Sequence, residues 1–212
     1  MTLIHSPKQA RSLDTQEKLL QALEEMLGER SFEQITIRDL AERAGVASGT
    51  VYRRFKDKEA MLPVLYERFD QRLADWLQSF WSCFDAASKP AVGSRIRHLV
   101  EMHFRFYSDQ RPIMRTLYLQ MRLYGEPSLH NIDEHRRLGY TKLLRPVIDA
   151  VVSELGREPS EDQIKVFLLL LLSSINEHTL FGESKPLRSV KTDTETFKSE
   201  LTRALCAYLR AD

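Results

Sequence analysis

The segment Ile37–Phe55, IRDLAERAGVASGTVYRRF, decides the expected fold. It predicts two short helices separated by a tight turn at Gly45, where glycine adopts the left-handed conformation at no steric cost. Ala41 is small enough for the two helices to cross closely, and Val51 anchors the second helix inward. The same core is completed by four apolar side chains, Ile37, Leu40, Val46 and Phe55. This spacing leaves two interpretations open, a helix-turn-helix that enters a DNA groove and an ordinary helical hairpin.

The rest of the chain also favours helix, because residues that break helices are scarce. The 212 residues include 8 glycines and 8 prolines, fewer than sandwiches, barrels or glycine-rich nucleotide-binding folds need for their turns. We therefore predict an all-α protein of about nine helices. Apolar side chains recur at helical spacing over 14–27, 36–44, 47–55, 57–84, 92–108, 113–124, 128–155, 160–181 and from 193 onward. Pro63 and Pro146 fall inside such stretches, and we expect a kink or break near each.

Charge and cysteine content exclude several classes of protein. The chain has 31 Lys and Arg against 30 Asp and Glu, a net charge of +1, which excludes a histone-like coat on nucleic acid but allows a small basic patch. Cys83 and Cys206 are too few for a disulfide framework and form no Cys-x-x-Cys pair. No secretory leader is visible, and the longest apolar block, Val166–Leu172, is far shorter than the ~20 residues that span a bilayer. We expect a cytoplasmic protein with no membrane association.

The residues around Gly45 resemble a known family. The run from Thr36 to Glu59, TIRDLAERAGVASGTVYRRFKDKE, closely resembles the DNA-binding segment of TetR-family transcriptional regulators. The shared features are the threonine that opens the second helix, the Ala-Gly-Val turn, the Gly-Thr-Val-Tyr of the recognition helix, its closing phenylalanine and the Lys-Glu that starts the fourth helix. The resemblance covers residues 14–62, and the remainder matches by helix count and length.

This resemblance implies a domain organisation. It assigns 14–58 to a three-helix helix-turn-helix DNA-binding domain and 59–212 to a helical ligand-binding and dimerisation domain. Residues 1–13 are polar and irregular, which predicts a flexible arm. The resemblance also implies a homodimer on a palindromic operator in double-stranded DNA, because one recognition helix reads too few base pairs for genomic specificity.

The resemblance also assigns DNA contacts, which the side-chain chemistry supports. Arg53 is the candidate for bidentate reading of guanine, and Tyr52 would give its hydroxyl to a phosphate. Lys58 would hold another phosphate at the start of the fourth helix. The full predicted set is Thr36, Arg38, Ser48, Gly49, Thr50, Tyr52, Arg53, Lys56 and Lys58.

An effector pocket among the fourth to seventh helices is implied as well. Aromatic and methionine side chains there fall at inward-facing spacings and suit an apolar ligand, although plain hydrophobic core is the alternative interpretation. A polar pocket residue is added by the predicted eighth helix. The predicted pocket residues are Trp76, Phe80, Phe84, Met102, Phe106, Met114, Tyr118, Met121 and His178.

The last two helices are expected to form the dimer interface. By resemblance, those of two copies would make a four-helix bundle across a two-fold axis. The residues predicted to lie in this interface are Phe167, Leu171, Phe197, Leu201, Leu205 and Tyr208.

The function that the resemblance implies is a dimeric repressor, released from its operator by a small, largely apolar effector. The effector would shift the fourth helix, with Pro63 as a bend point, and separate the two recognition helices. A ligand-responsive activator with the same DNA-binding domain is one alternative, and an all-α enzyme is another.

Motifs for catalysis or metal binding are lacking in the sequence. No catalytic triad or glycine-rich phosphate loop stands out, so we expect no enzymatic activity and no cofactor. His98 and His103 lie five residues apart and match no zinc-protease motif. We interpret them as ordinary core or surface histidines and expect no bound metal.

Overall fold

The computed structural model describes residues 7–80, 91–124, 132–183, 189–190 and 192–211. Over these ranges the chain forms α-helices and no strand, so the predicted all-α fold is confirmed. The helices are α1 (Pro7–Glu29), α2 (Ile37–Arg43), α3 (Ser48–Tyr52), α4 (Leu62–Ser79), α5 (Val92–Asp109), α6 (Arg111–Tyr124), α7 (Ile132–Leu155), α8 (Glu161–Phe181) and α9 (Thr194–Arg210). Two short 3₁₀ turns, Phe32–Gln34 and Glu59–Met61, precede α2 and α4.

The helices differ from the prediction at the start of α1 and around two prolines. Helix α1 begins at Pro7, so residues 7–13 extend the first helix instead of forming an irregular arm. Pro63 is the second residue of α4, where the N–H that proline lacks would have no partner inside the helix. Helix α7 continues through Pro146, so the helix is not broken there, and the alternative of a kink stays a prediction. Predicted pocket residue Phe84 lies outside the described residues.

Contacts divide the chain into two compact units. The first comprises Met1–Arg72 with Pro112–Ser128, and the second comprises Leu73–Arg111 with Leu129–Asp212. Helix α4 therefore contributes to both units. This division follows packing and not function, so the domain boundary at residue 58 stays a prediction.

The core of the first unit is built on the apolar stripe of α1. Leu19, Leu23 and Met26 lie at helical spacing and are at most 1% exposed. The other buried side chains around them include Phe32, Ile35, Leu40, Val51, Phe55, Met61, Leu65 and Phe69. At the rim of this core, Arg72 of α4 pairs with Glu24 of α1 at 2.7 Å. These contacts hold α2 and α3 on a helical base.

In the second unit α5 packs against α7, α8 and α9. Every third or fourth residue of α8, namely Phe167, Leu171 and Ile175, is buried in this packing. By length and composition α8 is also apolar enough to cross a membrane, a test that core helices of soluble proteins pass as well. The buried stripe of α8 is that of a helix packed inside a helical unit.

Three residues predicted at the dimer interface lie instead in the interior. Phe167, Leu171 and Leu205 are at most 1% exposed, so in this conformation they contact only their own chain. The exposed apolar side chains of α8 lie on its other side and are Val166, Leu169 and Leu170. The sequence does not separate these two sets, because α8 is apolar almost all round through this region.

Candidate nucleic-acid interface

The start of α2 is fixed by a capping box. The Oγ1 atom of Thr36 accepts from the Asp39 N–H at 3.1 Å, and the Thr36 N–H donates to the Asp39 carboxylate at 3.1 Å. Hydrogen bonds that the Thr36 N–H and hydroxyl donate to the Asp39 carboxylate hold the pKa of Asp39 below its usual value. Two of the N–H groups that a helix start leaves unpaired are thereby satisfied, which explains why so short a helix begins at this residue.

The turn between α2 and α3 has the predicted glycine geometry. Gly45 has a φ of 66°, in the left-handed region. The Val46 N–H donates to the Ala41 carbonyl at 2.9 Å, and the Gly45 N–H donates to the Glu42 carbonyl at 3.1 Å. This is the hydrogen-bond pattern of a Schellman C-cap, which ends α2 and sets the direction of α3.

Helix α3 presents a polar, exposed face. Val51 is fully buried, whereas Ser48, Gly49 and Arg53 are exposed and the Tyr52 side chain is 60% exposed. The Arg53 Nη2 atom donates to the Thr50 hydroxyl at 2.9 Å, which holds the guanidinium along the outer face of the helix. Small, hydroxylated and cationic groups thus share one surface.

Most of the other predicted DNA contacts are also exposed in the first unit. Thr36 and Arg38 lie at the start of α2, and Lys56 follows α3. Arg43, which was not in the predicted set, holds α2 against α1 through two hydrogen bonds of 2.9 Å to the carboxylate of Glu29. This ion pair raises the pKa of Arg43 and lowers that of Glu29. Nothing in the local pattern identifies a pair separated by 14 residues.

Lys58 differs from its predicted role. Its Nζ atom donates to the carbonyls of Phe32 and Ile35 at 2.6 and 3.0 Å, and it lies 4.3 Å from the centroid of the Phe32 ring. Two of its three N–H donors are therefore used inside the chain, where they bind the 3₁₀ turn before α2. We assign Lys58 to holding that turn in place and not to a phosphate.

Replacing Lys58 with methionine is expected to lower the free energy of unfolding by about 2 kcal/mol, because two carbonyls lose a charged donor. Lys56→Met is the matched control, since Lys56 is exposed and surface substitutions change stability by ~0.5 kcal/mol or less. Urea denaturation of both variants measures the difference. Equal stabilities would contradict the internal role of Lys58.

The predicted pocket residues divide between the two units. Trp76, Phe80, Met102, Phe106 and His178 belong to the second unit. The remaining described ones, on α6 in the first unit, are Met114, Tyr118 and Met121. That all of them line one pocket stays a prediction.

An aromatic cluster in the second unit surrounds His103, which the sequence suggested only as an ordinary histidine. The Trp76 ring lies 4.8 Å from the rings of both His103 and Phe106, and the Phe80 ring lies 5.6 Å from that of His103. His103 is fully buried, and burial lowers its pKa to about 4. Helical spacing predicts that these side chains face inward but does not show that they meet.

His178 lies in a different cluster of the second unit. Its ring stacks on that of Phe197 with 4.1 Å between centroids, and the Phe104 ring is 5.6 Å away. Within the described part of the chain, no three His, Cys, Asp or Glu side chains are grouped closely enough to hold a metal ion.

Comparison with known proteins identifies the segment that contains α2 and α3. Residues 19–65 match the family of bacterial regulatory proteins called the tetR family. The helix-turn-helix geometry described above lies inside this segment. This segment of the chain belongs to the TetR family.

Curated relatives match this chain over a limited length. An HTH-type transcriptional repressor named KstR2 from Mycolicibacterium smegmatis is 35% identical over 75 residues, which are 35% of each chain. An uncharacterised HTH-type regulator, YvdT, from Bacillus subtilis is 32% identical over 76 residues, 32% of this chain and 39% of the relative. The match therefore spans little more than a third of these relatives.

A solved structure shows the same TetR fold over a longer stretch. FadR from Bacillus subtilis, solved in complex with stearoyl-CoA, has a TM-score of 0.60 and is 17% identical, with 89% of this chain and 96% of that chain covered. At this identity the likeness shows the fold alone.

Proposed function

We propose that the chain is a ligand-responsive transcriptional regulator that binds double-stranded DNA as a homodimer. The observation that carries this proposal is the exposed face of α3. On this face Arg53 is hydrogen-bonded to Thr50, and the neighbouring residue, Gly49, has no side chain. Such a surface suits a major groove, where donors and acceptors on the base edges distinguish all four base pairs.

In this proposal residues 14–58 form the DNA-binding domain. Ser48, Gly49, Thr50 and Arg53 face base edges or the nearest phosphates. The contacts to the flanking phosphates come from Thr36, Arg38, Tyr52 and Lys56, all of which are exposed. Their charge is local, which agrees with a net charge of only +1 over the whole chain.

Dimerisation through α8 and α9 is proposed with a revised set of contacts. Val166, Leu169 and Leu170 are 40%, 62% and 41% exposed, which is unusual for three apolar side chains close together on one helix. Burying them against a second copy would remove this apolar surface from water. The half-buried residues Phe197, Leu201 and Tyr208 of α9 stay in the proposed interface.

The second unit, within the proposed regulatory domain 59–212, would bind the effector. Its cluster of Trp76, Phe80 and Phe106 provides an apolar environment. The stearoyl-CoA in the FadR structure supports a small molecule with a large apolar part. Release from the operator is the proposed response, and the repressor name of the KstR2 relative favours repression over activation.

A regulator of this kind needs no catalytic site, and it would act in the cytoplasm, where bacterial DNA is found. The relatives named above are described as regulators or repressors of transcription, which supports a role other than catalysis.

A matched pair of glycine variants tests the proposal. Gly28 in α1 and Gly49 in α3 are both exposed helical residues, and a Cβ added to either meets no atom within 4 Å. Alanine should therefore stabilise the free protein slightly in both cases, by about 0.5–1 kcal/mol. Only at Gly49 would the new methyl group point at the DNA, so we expect Gly49→Ala to weaken binding about tenfold or more, and Gly28→Ala to leave it unchanged.

The measurement is a mobility shift with genomic DNA fragments first enriched by the wild-type chain at moderate salt. Sedimentation of the complex should give two chains, or a multiple of two, per duplex. If the wild-type chain enriches no sequence, the proposed function is wrong. If Gly49→Ala binds as tightly as Gly28→Ala, another surface contacts the DNA.

A further inference from the structure

Within the described residues, the ring of His103 makes a hydrogen bond through one of its two nitrogens. The Nδ1 atom lies 2.8 Å from the carbonyl oxygen of Leu99, one turn earlier in α5. A carbonyl can only accept, so Nδ1 carries the proton and Nε2 is left with a lone pair. This Nε2 atom is buried and has no hydrogen-bond partner among the residues that the structure describes.

Three aromatic rings without formal charge lie around His103. They belong to Trp76, Tyr107 and Tyr140, and we call them the box. Trp76 stands edge-on to the His103 ring with 4.8 Å between centroids, and Tyr107 stands edge-on at 6.2 Å. Tyr140 of α7 lies nearly parallel to His103 at 6.3 Å. Trp76 and Tyr140 are only half-buried, so these two residues are partly exposed to solvent.

A buried acceptor without a partner is rare in a native protein, and such an atom calls for a reason. A water molecule held in a protein interior typically makes about three hydrogen bonds. The two tyrosine hydroxyls of the box, those of Tyr107 and Tyr140, pair with each other at 3.4 Å. A flat, apolar molecule with a single donor matches both features of the box, its aromatic walls and its one acceptor.

We propose that the box around His103 binds the buried end of the effector, and that this end carries an uncharged hydrogen-bond donor, such as an aromatic N–H or a hydroxyl, which His103 Nε2 accepts. The proposal rests on the ligand-responsive function given above and narrows the class of ligand. A carboxylate, a phosphate or a carbonyl would face the lone pair of Nε2 and is excluded from this position. The pKa of about 4 agrees, because it keeps the imidazole neutral at physiological pH.

Two pairs of probe molecules test this inference on the full chain. Indole and 1-methylindole have the same aromatic frame, but only indole has an N–H; phenol and anisole form a second pair of the same kind. We expect the donor member of at least one pair to bind about tenfold or more tightly than its methylated partner, as measured by ligand-observed NMR titration. In ¹⁵N-histidine spectra, the Nε2 resonance of His103 should shift with that donor and not with its partner.

Two variants identify the acceptor. His103→Leu should bind both members of that pair within about twofold of each other. His98→Leu should keep the preference, since the Nε2 atom of His98 already donates to the Phe80 carbonyl at 3.1 Å. If His103→Leu does not fold, the shift of the Nε2 resonance in the wild-type chain decides the question.

Two outcomes would overturn the inference: neither pair shows a preference for its donor, or the preference survives in His103→Leu. A mobility shift with the same preparations separates this failure from that of the proposed function. If the wild-type chain binds DNA sequence-selectively but prefers the donor of neither probe pair, only the inference is wrong. If the wild-type chain does not bind DNA, the proposed function is wrong as well as the inference.

Discussion

Between about pH 7.5 and about pH 5, the protein is expected to lose roughly 2 kcal/mol of its free energy of unfolding, because His103 binds a proton only after the chain unfolds. In the folded chain, burial lowers the pKa of His103 to about 4. In the unfolded chain an imidazole has a pKa of about 6.5. Folding therefore excludes a proton that the unfolded chain accepts.

The sign of the effect follows from this difference. Above about pH 6.5 neither state is protonated at His103, so stability there does not depend on this residue. Below it, each pH unit favours the unfolded chain by about 1.4 kcal/mol, and the loss reaches about 3 kcal/mol near pH 4. The carboxylates of Asp39 and Asp193 have lowered pKa values, so their protonation destabilises the fold only at lower pH.

Urea denaturation at several pH values measures this loss. His103→Leu should remove most of the pH dependence between about pH 7.5 and about pH 5, whatever its stability at neutral pH. His98→Leu is the control and should keep the dependence, since His103 stays in place. If wild-type stability does not change over this range, His103 is either solvated or protonated in the folded protein.

Arg53→Ala is expected to weaken operator binding by about 1–3 kcal/mol, or roughly 5–150-fold. The Arg53 side chain is exposed and hydrogen-bonded to Thr50, so it makes little contribution to the core. Thermal stability should therefore stay within about 0.5 kcal/mol of the wild-type value. A large effect on binding combined with a small effect on stability is characteristic of a contact residue.

The pattern of loss distinguishes two kinds of contact. If Arg53 reads guanine, the alanine variant loses discrimination at one base pair of each half-site, and Arg53→Lys does not restore it, because lysine lacks the bidentate fork. If Arg53 binds a phosphate, all sequences are weakened alike and the salt dependence becomes less steep. Binding to a library of operator variants at several salt concentrations measures both.

Thr50→Val removes the hydroxyl that the Arg53 Nη2 atom contacts while keeping the shape of the side chain. We expect a smaller loss than with Arg53→Ala, because the guanidinium stays but is less well oriented. If Arg53→Ala, Arg53→Lys and Thr50→Val all bind the operator as tightly as the wild-type chain, this face does not lie in the groove.

Features that depend on neighbouring residues were predictable from the sequence. Thr36 and Asp39 form the capping box, and Gly45 adopts the left-handed turn. Such features follow from the conformational preferences of a few consecutive residues, which hold in any tertiary context. The family resemblance also depends on this local segment, which is why the fold class and the family were both correct.

Features that depend on distant residues were not predictable. Lys58 has the sequence position of a phosphate contact, yet its ammonium group binds carbonyls 23 and 26 residues earlier in the chain. Phe167 and Leu169 are both apolar and lie two residues apart on α8, but one is 1% and the other 62% exposed. Periodicity cannot rank them, because that part of α8 is apolar on every side.

The amino-acid sequence by itself determined the helices, the turn that joins α2 to α3, and the polar character of the α3 face. Tertiary structure alone decided which groups are shielded from water. Among them are the Lys58 ammonium, the buried stripe of α8 and His103, whose Nε2 atom has no hydrogen-bond partner in the described part of the chain. The physical reason is that helix formation and capping are short-range, whereas burial and the pKa shifts that follow from it depend on side chains brought together from different helices.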